Sequence, residues 1–198
     1  MADRRSALAH LPAGPAGEDS LTLLDAMPGS ILQIQAWPET LAIVRSAISE
    51  LAGVSSPEMG RAVSGEGIFV AATAPGRFLV SGDAEDLAER FAAALPSADG
   101  AVTDLSHGRT ILRLDGNDAA GLLARVVTLD LDSSVFPPGR VAQTAIHHID
   151  VLLHRRSEAS FDLWVLRSFA EALADGCSIR DWRAGLRCSD SESPCRLS

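Results

Sequence analysis

Asp104-Leu-Ser-His-Gly-Arg-Thr-Ile-Leu-Arg-Leu-Asp-Gly-Asn-Asp118, followed by Thr128-Leu-Asp-Leu131 and Phe136-Pro-Pro-Gly-Arg-Val-Ala-Gln-Thr144, sets the architecture of this chain. Thr110 to Leu114 alternates as a strand, with Ile111 and Arg113 on one face and Leu112 and Leu114 on the other. Asp115-Gly116-Asn117-Asp118 is a polar turn that supplies a side-chain oxygen to cap a helix. Leu122, Leu123, Val126 and Val127 give that helix its apolar face, and Pro137-Pro138-Gly139 turns the chain again. Val141 to Ile146, Asp150 to His154 and Phe161 to Val165 are the next strands. Ser168-Phe169-Ala170-Glu171 has the form of a capping box opening a last helix, which packs through Phe169 and Leu173.

Upstream the same plan recurs. Ile31 to Gln35 alternates as a strand, and Trp37-Pro38-Glu39 starts a helix with Leu41, Val44, Ile48 and Leu51 on one face, ended by Gly53. Ile68 to Ala72 and Arg77 to Val80 form a hairpin around Ala74-Pro75-Gly76. Ser81-Gly82-Asp83 opens a second helix carrying Leu87, Phe91 and Leu95, closed by Pro96. Each half reads strand–helix–strands–helix. The expected fold is α+β, with two pseudo-repeated halves (30–96 and 104–177 within a domain over 21–177), mostly antiparallel mixed sheets and helices on one face. Residues 1–20 read as a flexible arm. Residues 178–198 read as a tail in which Trp182 and Leu186 could dock one helical turn.

Composition narrows the function. The chain has 198 residues, is 46% hydrophobic and carries a net charge of −9, so it can bury a sizeable core. All 17 basic residues are Arg. An acidic chain whose only adjacent basic pairs are Arg4-Arg5 and Arg155-Arg156 is a poor nucleic-acid binder. The absence of Lys excludes Schiff-base and P-loop lysine chemistry. No apolar run approaches a membrane span. The apolar stretch after Arg5 is broken by His10, Pro12, Gly14 and Pro15, so no signal-peptide core follows and a cytoplasmic location is expected. Cys177, Cys188 and Cys195 are odd in number and lack C-x-x-C spacing, which fits free thiols in a reducing compartment.

No catalytic constellation stands out. Ser106 and His107, as neighbours on an extended stretch, would point apart, and Asp104 and Ser106 read instead as a turn bonding its own backbone. His147, His148 and His154 lack zincin spacing and read as a hairpin corner with solvent-facing rings. Asp115 to Asp118 lacks the later ligands of a calcium loop. Asp130 and Asp132 would share one face of a strand, as an acid–base pair or a solvated edge. There is no G-x-G-x-x-G.

The stretches 104–110, 112–116, 128–131 and 136–144 resemble the sarcosine oxidase gamma subunit family, as do Val151 to Arg155, Phe161 to Val165 and Arg167-Ser168-Phe169. That family is related to the folate-binding aminomethyltransferase (GcvT-like) fold. The resemblance implies a non-catalytic gamma subunit in a heterotetramer that oxidatively demethylates sarcosine to glycine, with folate accepting the one-carbon unit. It implies packing against the large alpha subunit, with beta and delta as further partners. It places FAD, FMN, NAD, zinc and tetrahydrofolate on other subunits, with no cofactor on this one. Arg125-Val126-Val127 stands where many members carry Lys-Gly-Cys, and Ala74-Pro75-Gly76-Arg77 replaces an often aromatic, acidic hairpin. The alternatives are a gamma-like subunit for another N-methyl amino acid dehydrogenase, a stand-alone folate binder using Asp162 or Asp104, or an unrelated interaction module. The expected partner-facing residues are Asp104, Ser106, Arg109, Phe136 and Arg140, with Phe136 as an exposed aromatic anchor between arginines. The other possibility for Arg109 and Arg140 is that they hold the two turns together inside the subunit.

Overall fold

The computed structural model describes residues 6–8, 21–84, 86–178 and 187–189. In chain order the strands and helices are β1 (Thr22–Asp25), β2 (Ser30–Ala36), α1 (Leu41–Ala52), β3 (Ala62–Gly65), β4 (Ile68–Ala74), β5 (Arg77–Gly82), α2 (Leu87–Ala94), β6 (Gly100–Asp104), β7 (Arg109–Asp115), α3 (Ala119–Val126), β8 (Val141–Ile146), β9 (Ile149–Ser157), β10 (Ser160–Leu166), α4 (Ala170–Ser178) and β11 (Arg187–Ser189). The fold is α+β, as the alternation of strand and helix patterns predicts. Among the described residues no helix is long and apolar enough to cross a membrane.

The chain forms two compact units. One comprises Pro28–Arg109 with Gly139–Gln143, and its sheet runs β3-β4-β5-β2-β6, antiparallel throughout. Leu32, Ile34 and Ala36 of β2, Ile68, Val70 and Ala72 of β4, and Phe78 and Val80 of β5 share one face by the two-residue period. Against that face pack Val44, Ile48 and Ala52 of α1 and Leu87 and Phe91 of α2, all buried. Gly53 stops α1 in the left-handed conformation, with φ of 65°, which glycine adopts without steric cost.

The other unit holds Thr110–Pro138 and Thr144–Ser198 with the residues up to Met27, and its sheet runs β11-β1-β7-β10-β9-β8. β1 pairs with β7, and β9 with β10, antiparallel; β1 and β11 are parallel. Five consecutive residues are buried in β9 (Val151 to Arg155) and in β10 (Phe161 to Val165), the mark of strands covered on both faces. His147 and His148 make the tight turn between β8 and β9 with φ of 47° and 71°, the positive values a two-residue hairpin turn needs.

Several local expectations change. Ser81 and Gly82 extend β5, pairing with Ile31 and Ser30, so α2 starts only at Leu87. The sequence pattern does not single out β1, β3 and β6, which are only 4, 4 and 5 residues long; stretches so short are recruited by their neighbours rather than by propensity. Asp118 makes no side-chain cap on α3; the turn closes through backbone bonds from Ala119 N to Gly116 O at 3.0 Å and Leu122 N to Asp118 O at 2.9 Å. The chain enters α4 through a 3-10 turn over Arg167–Phe169 whose N-cap is Leu166, not through Ser168. Phe169 is accordingly 46% exposed, and α4 buries Ala170, Leu173 and Ala174 instead. Ser6 to Leu8 of the expected arm is tied down: Ala7 N donates to the buried Asp25 carboxylate at 2.7 Å, and Leu8 is buried. The rest of the arm, Trp182 and Leu186 lie outside the described residues.

The irregular segment after α3 is fixed by Arg155. Its guanidinium, buried over the Phe161 ring with 5.3 Å to the centroid, donates to Leu131 O (3.0 Å), Phe136 O (2.9 Å), Ser157 O (3.3 Å), Glu158 O (3.2 Å) and Glu158 Oε2 (2.6 Å). A guanidinium has five N–H donors, and here each has an acceptor. Arg155→Met would strand these buried oxygens at about 1–3 kcal/mol each for those that water does not reach. We expect a drop of several kcal/mol in urea-unfolding stability and faster proteolysis within 128–136. Arg155→Lys should not restore either, because an ammonium cannot reproduce the fork. A Lys variant with wild-type stability and protease resistance would contradict this role.

Candidate functional site

The residues expected to face a partner fall in separate places. Asp104 ends β6, an outer strand. Its Oδ1 accepts from Ser106 N at 2.8 Å and from the Ser106 hydroxyl at 2.5 Å. Ser106 Oγ in turn accepts from Ile31 N at 2.9 Å, so a buried hydroxyl continues the β2–β6 ladder one step past the end of β6. Asp104 and Ser106 are thus joined as a turn bonding its own backbone. The hydroxyl is engaged by Asp104 rather than His107, which is exposed, so the two do not form a nucleophile–base pair.

Arg109 follows, half-buried. Desolvation lowers its pKa below the ordinary guanidinium value. Phe136 is only 4% exposed, which corrects its reading as an exposed anchor. Its ring lies inside the subunit and its carbonyl is held by Arg155, while the adjacent Val135 is 54% exposed. Arg140 is half-buried and pairs through a backbone bridge with Arg61, next to β3. β3 and β6 are the two outer strands of the five-stranded sheet. Arg140 pairs on the edge of Arg61 that faces away from β4, so five strand spacings of ~4.8 Å, roughly 24 Å, separate it from Asp104 across the sheet. They do not form one patch.

The remaining candidates resolve into structural roles. His147 and His148 are exposed at the hairpin corner, but His154 is not with them: it is buried on β9. Residues 128–132 form no strand, so Asp130 and Asp132 do not share a strand face. Asp132 instead accepts from the Ser134 hydroxyl at 2.6 Å and from Ser134 N at 2.9 Å, and those bonds lower its pKa. Among the described residues no group of His, Cys, Asp and Glu is placed to hold a metal ion.

The main charged cluster centres on Asp162 of β10, 5% exposed. Arg113 of β7 donates to both its oxygens, at 2.7 and 3.3 Å. Arg156 Nε lies 3.4 Å away and His154 Nδ1 3.7 Å away, the latter an ion-pair distance rather than a hydrogen bond. Burial alone would raise the Asp162 pKa. The His154 ring, the Arg113 bonds and the charges of Arg113 and Arg156 outweigh it, and the net shift is downward. The sequence named Asp162 and His154 separately; only the register, which sets them opposite each other, unites them.

A carboxylate with a depressed folded pKa stabilises the fold above the ordinary Asp range near about 4, and that contribution fades as pH falls through the lower folded value. We expect Asp162→Asn to cost about 3–5 kcal/mol at neutral pH, because it leaves Arg113 and Arg156 without their anion. The variant should also lose less stability than wild type on acidification below about pH 4. Urea unfolding at several pH values tests both, and an unchanged acid sensitivity would remove Asp162 as the acid-labile element.

The chain shows its relatives clearly. The model of the family described as "Sarcosine oxidase, gamma subunit family" matches residues 38–175. The sarcosine oxidase subunit gamma of Corynebacterium sp. (strain U-96) is 32% identical over 176 residues, 85% of each chain. A chain of the heterotetrameric sarcosine oxidase from Corynebacterium sp. U-96 superposes with a TM-score of 0.76 at 32% identity, over 88% of this chain and 95% of that one. The glycine cleavage system aminomethyltransferase T from Bartonella henselae superposes with a TM-score of 0.59 at 16% identity, over 84% of this chain and 47% of that one, a likeness of fold alone. With a matched segment that runs from the first helix into the last, this chain belongs to the sarcosine oxidase gamma subunit family.

Proposed function

We propose that this chain is the gamma subunit of a cytoplasmic, flavin-dependent heterotetramer that oxidises sarcosine, and that it serves as a structural component packed against the large alpha subunit. The observation that carries this reading is the match along 95% of a chain from such a heterotetramer. The state of the polar groups supports a structural role. Asp162 is held by Arg113 and Arg156, Asp104 by Ser106, and Arg155 by five oxygens. Groups so engaged hold the fold and are poorly placed to exchange protons with a substrate. On this reading the redox cofactors, and the folate that takes up the one-carbon unit, reside on the larger subunits. The odd, unpatterned cysteines support a reducing compartment.

Tagged chain purified from its native host should elute with larger partners and a flavin spectrum that bleaches on anaerobic addition of sarcosine. Bleaching by a different N-methyl amino acid instead would reassign the substrate. A colourless, solitary chain would overturn the subunit reading.

A further inference from the structure

Arg61 and Arg140 stand directly opposite one another in an isolated antiparallel bridge. Two backbone bonds frame it, Ala62 N to Gly139 O at 2.8 Å and Val141 N to Gly60 O at 3.0 Å. Because those bonds fall on the flanking residues, Arg61 and Arg140 form the non-hydrogen-bonded type of pair, the one in which side chains approach most closely. Like charges placed so are destabilising. Gly60 and Gly139 on either side hold φ of 75° and 82°, values that favour glycine, and the two turns they make set the arginines opposite each other. The Arg140 guanidinium lies over Gly60, with Nη1 3.6 Å from where a Cβ would stand.

Among the described residues nothing neutralises the pair. Among the described residues neither arginine makes an ion pair or a side-chain hydrogen bond, and Arg140 Nε is buried without an acceptor. Glu58, the acid nearest Arg61 in sequence, is held by Arg45 at 2.8 Å. This happens in a chain with 26 acidic residues against 17 arginines, where a counter-charge is easily supplied.

We infer that Arg61 and Arg140 are a docking site for the carboxylate of an Asp or Glu side chain on a partner subunit. A carboxylate offers about four lone-pair sites and can accept from two guanidinium groups at once, in charge-assisted bonds. An acidic chain repels acidic surfaces in general, so a fixed cationic point would set the register of a partner that carries one matching acid. Arg61 is exposed, and Met59 two residues before it is 63% exposed. The place is therefore open surface with an apolar neighbour, which suits a protein side chain better than a free anion.

This inference rests on the subunit reading above and is tested in the whole complex. The wild-type chain and the variants Arg61→Glu, Arg140→Ala and Arg61→Glu/Arg140→Glu are each expressed tagged in the native host lacking its own copy. The flavin-bearing partner recovered is then measured against NaCl concentration. The double reversal should lower recovery about tenfold or more near ~0.15 M salt, and Arg140→Ala should weaken it and flatten its salt dependence. Arg61→Glu, at an exposed position, should fold normally as an isolated chain and still lose partner. Wild-type recovery and salt dependence in the reversed chains would overturn the inference while leaving the subunit reading intact. Failure of the wild-type chain to recover any flavin-bearing partner would sink both. If millimolar phosphate raises the Tm of the isolated wild type but not of Arg140→Ala, and the reversed chain still assembles, the pair binds a small anion and the docking inference falls.

Discussion

The Arg155 guanidinium is the constraint on which the second unit's irregular half depends. Removing a cation from water costs several kcal/mol unless its donors find acceptors, and Arg155 finds five oxygens within 3.3 Å. Two of them, the carbonyls of Leu131 and Phe136, belong to a segment with no regular structure. Their capture turns that segment into a fixed part of the unit and brings the side chains of Leu131 and Phe136 into its interior. The other three tie down the turn between β9 and β10. A lysine could not do this: three donors on a point charge do not span carbonyls from two separate stretches of chain. The exclusive use of arginine for positive charge fits a protein whose cations serve as planar, multi-donor braces.

The same economy runs through the other buried charges. Asp25 is buried and accepts from Thr110 Oγ1 at 2.6 Å and Ala7 N at 2.7 Å. Asp162 takes two guanidinium groups. Each is a polar group whose cost of burial is offset by partners within the same unit. A fold shared with an aminomethyltransferase at 16% identity says nothing of activity, because function resides in sites grafted onto folds. Among the described residues the buried carboxylates Asp25 and Asp162 are held by donors of their own unit.

Much of the fold was legible because hydrophobic period reports directly on burial. β2, the β4–β5 hairpin, α1, β7, β9 and β10 all carry runs whose alternation or continuity admits few other structures. β3 and β6 were not legible, since Ala62-Val-Ser-Gly65 and Gly100-Ala-Val-Thr-Asp104 become strands only through pairing with β4 and β2. The candidate site was harder to read for a related reason. Phe136 beside Pro-Pro-Gly has the composition of an exposed turn, and what buries it is a carbonyl bond to a residue far along the chain. Backbone acceptors leave no signature in side-chain identity, so Arg155 looked like half of an ordinary basic pair. Arg61 was invisible because its neighbour Arg140 is brought to it by a bridge that depends on the tertiary fold.

A cross-strand pair of like charges at a surface costs only a fraction of a kcal/mol to about 1 kcal/mol, which a stable domain tolerates. Its consequence appears on association. An anion arriving at Arg61 and Arg140 removes the repulsion and gains charge-assisted bonds at once, so the docked state gains from both changes. The isolated subunit is then slightly strained at this place, while the buried Asp25, Asp162 and Arg155 have their partners within it. Binding and folding are thereby linked in one direction: a partner that carries the matching carboxylate stabilises the subunit it binds, and a mismatched surface, meeting an acidic chain, does not.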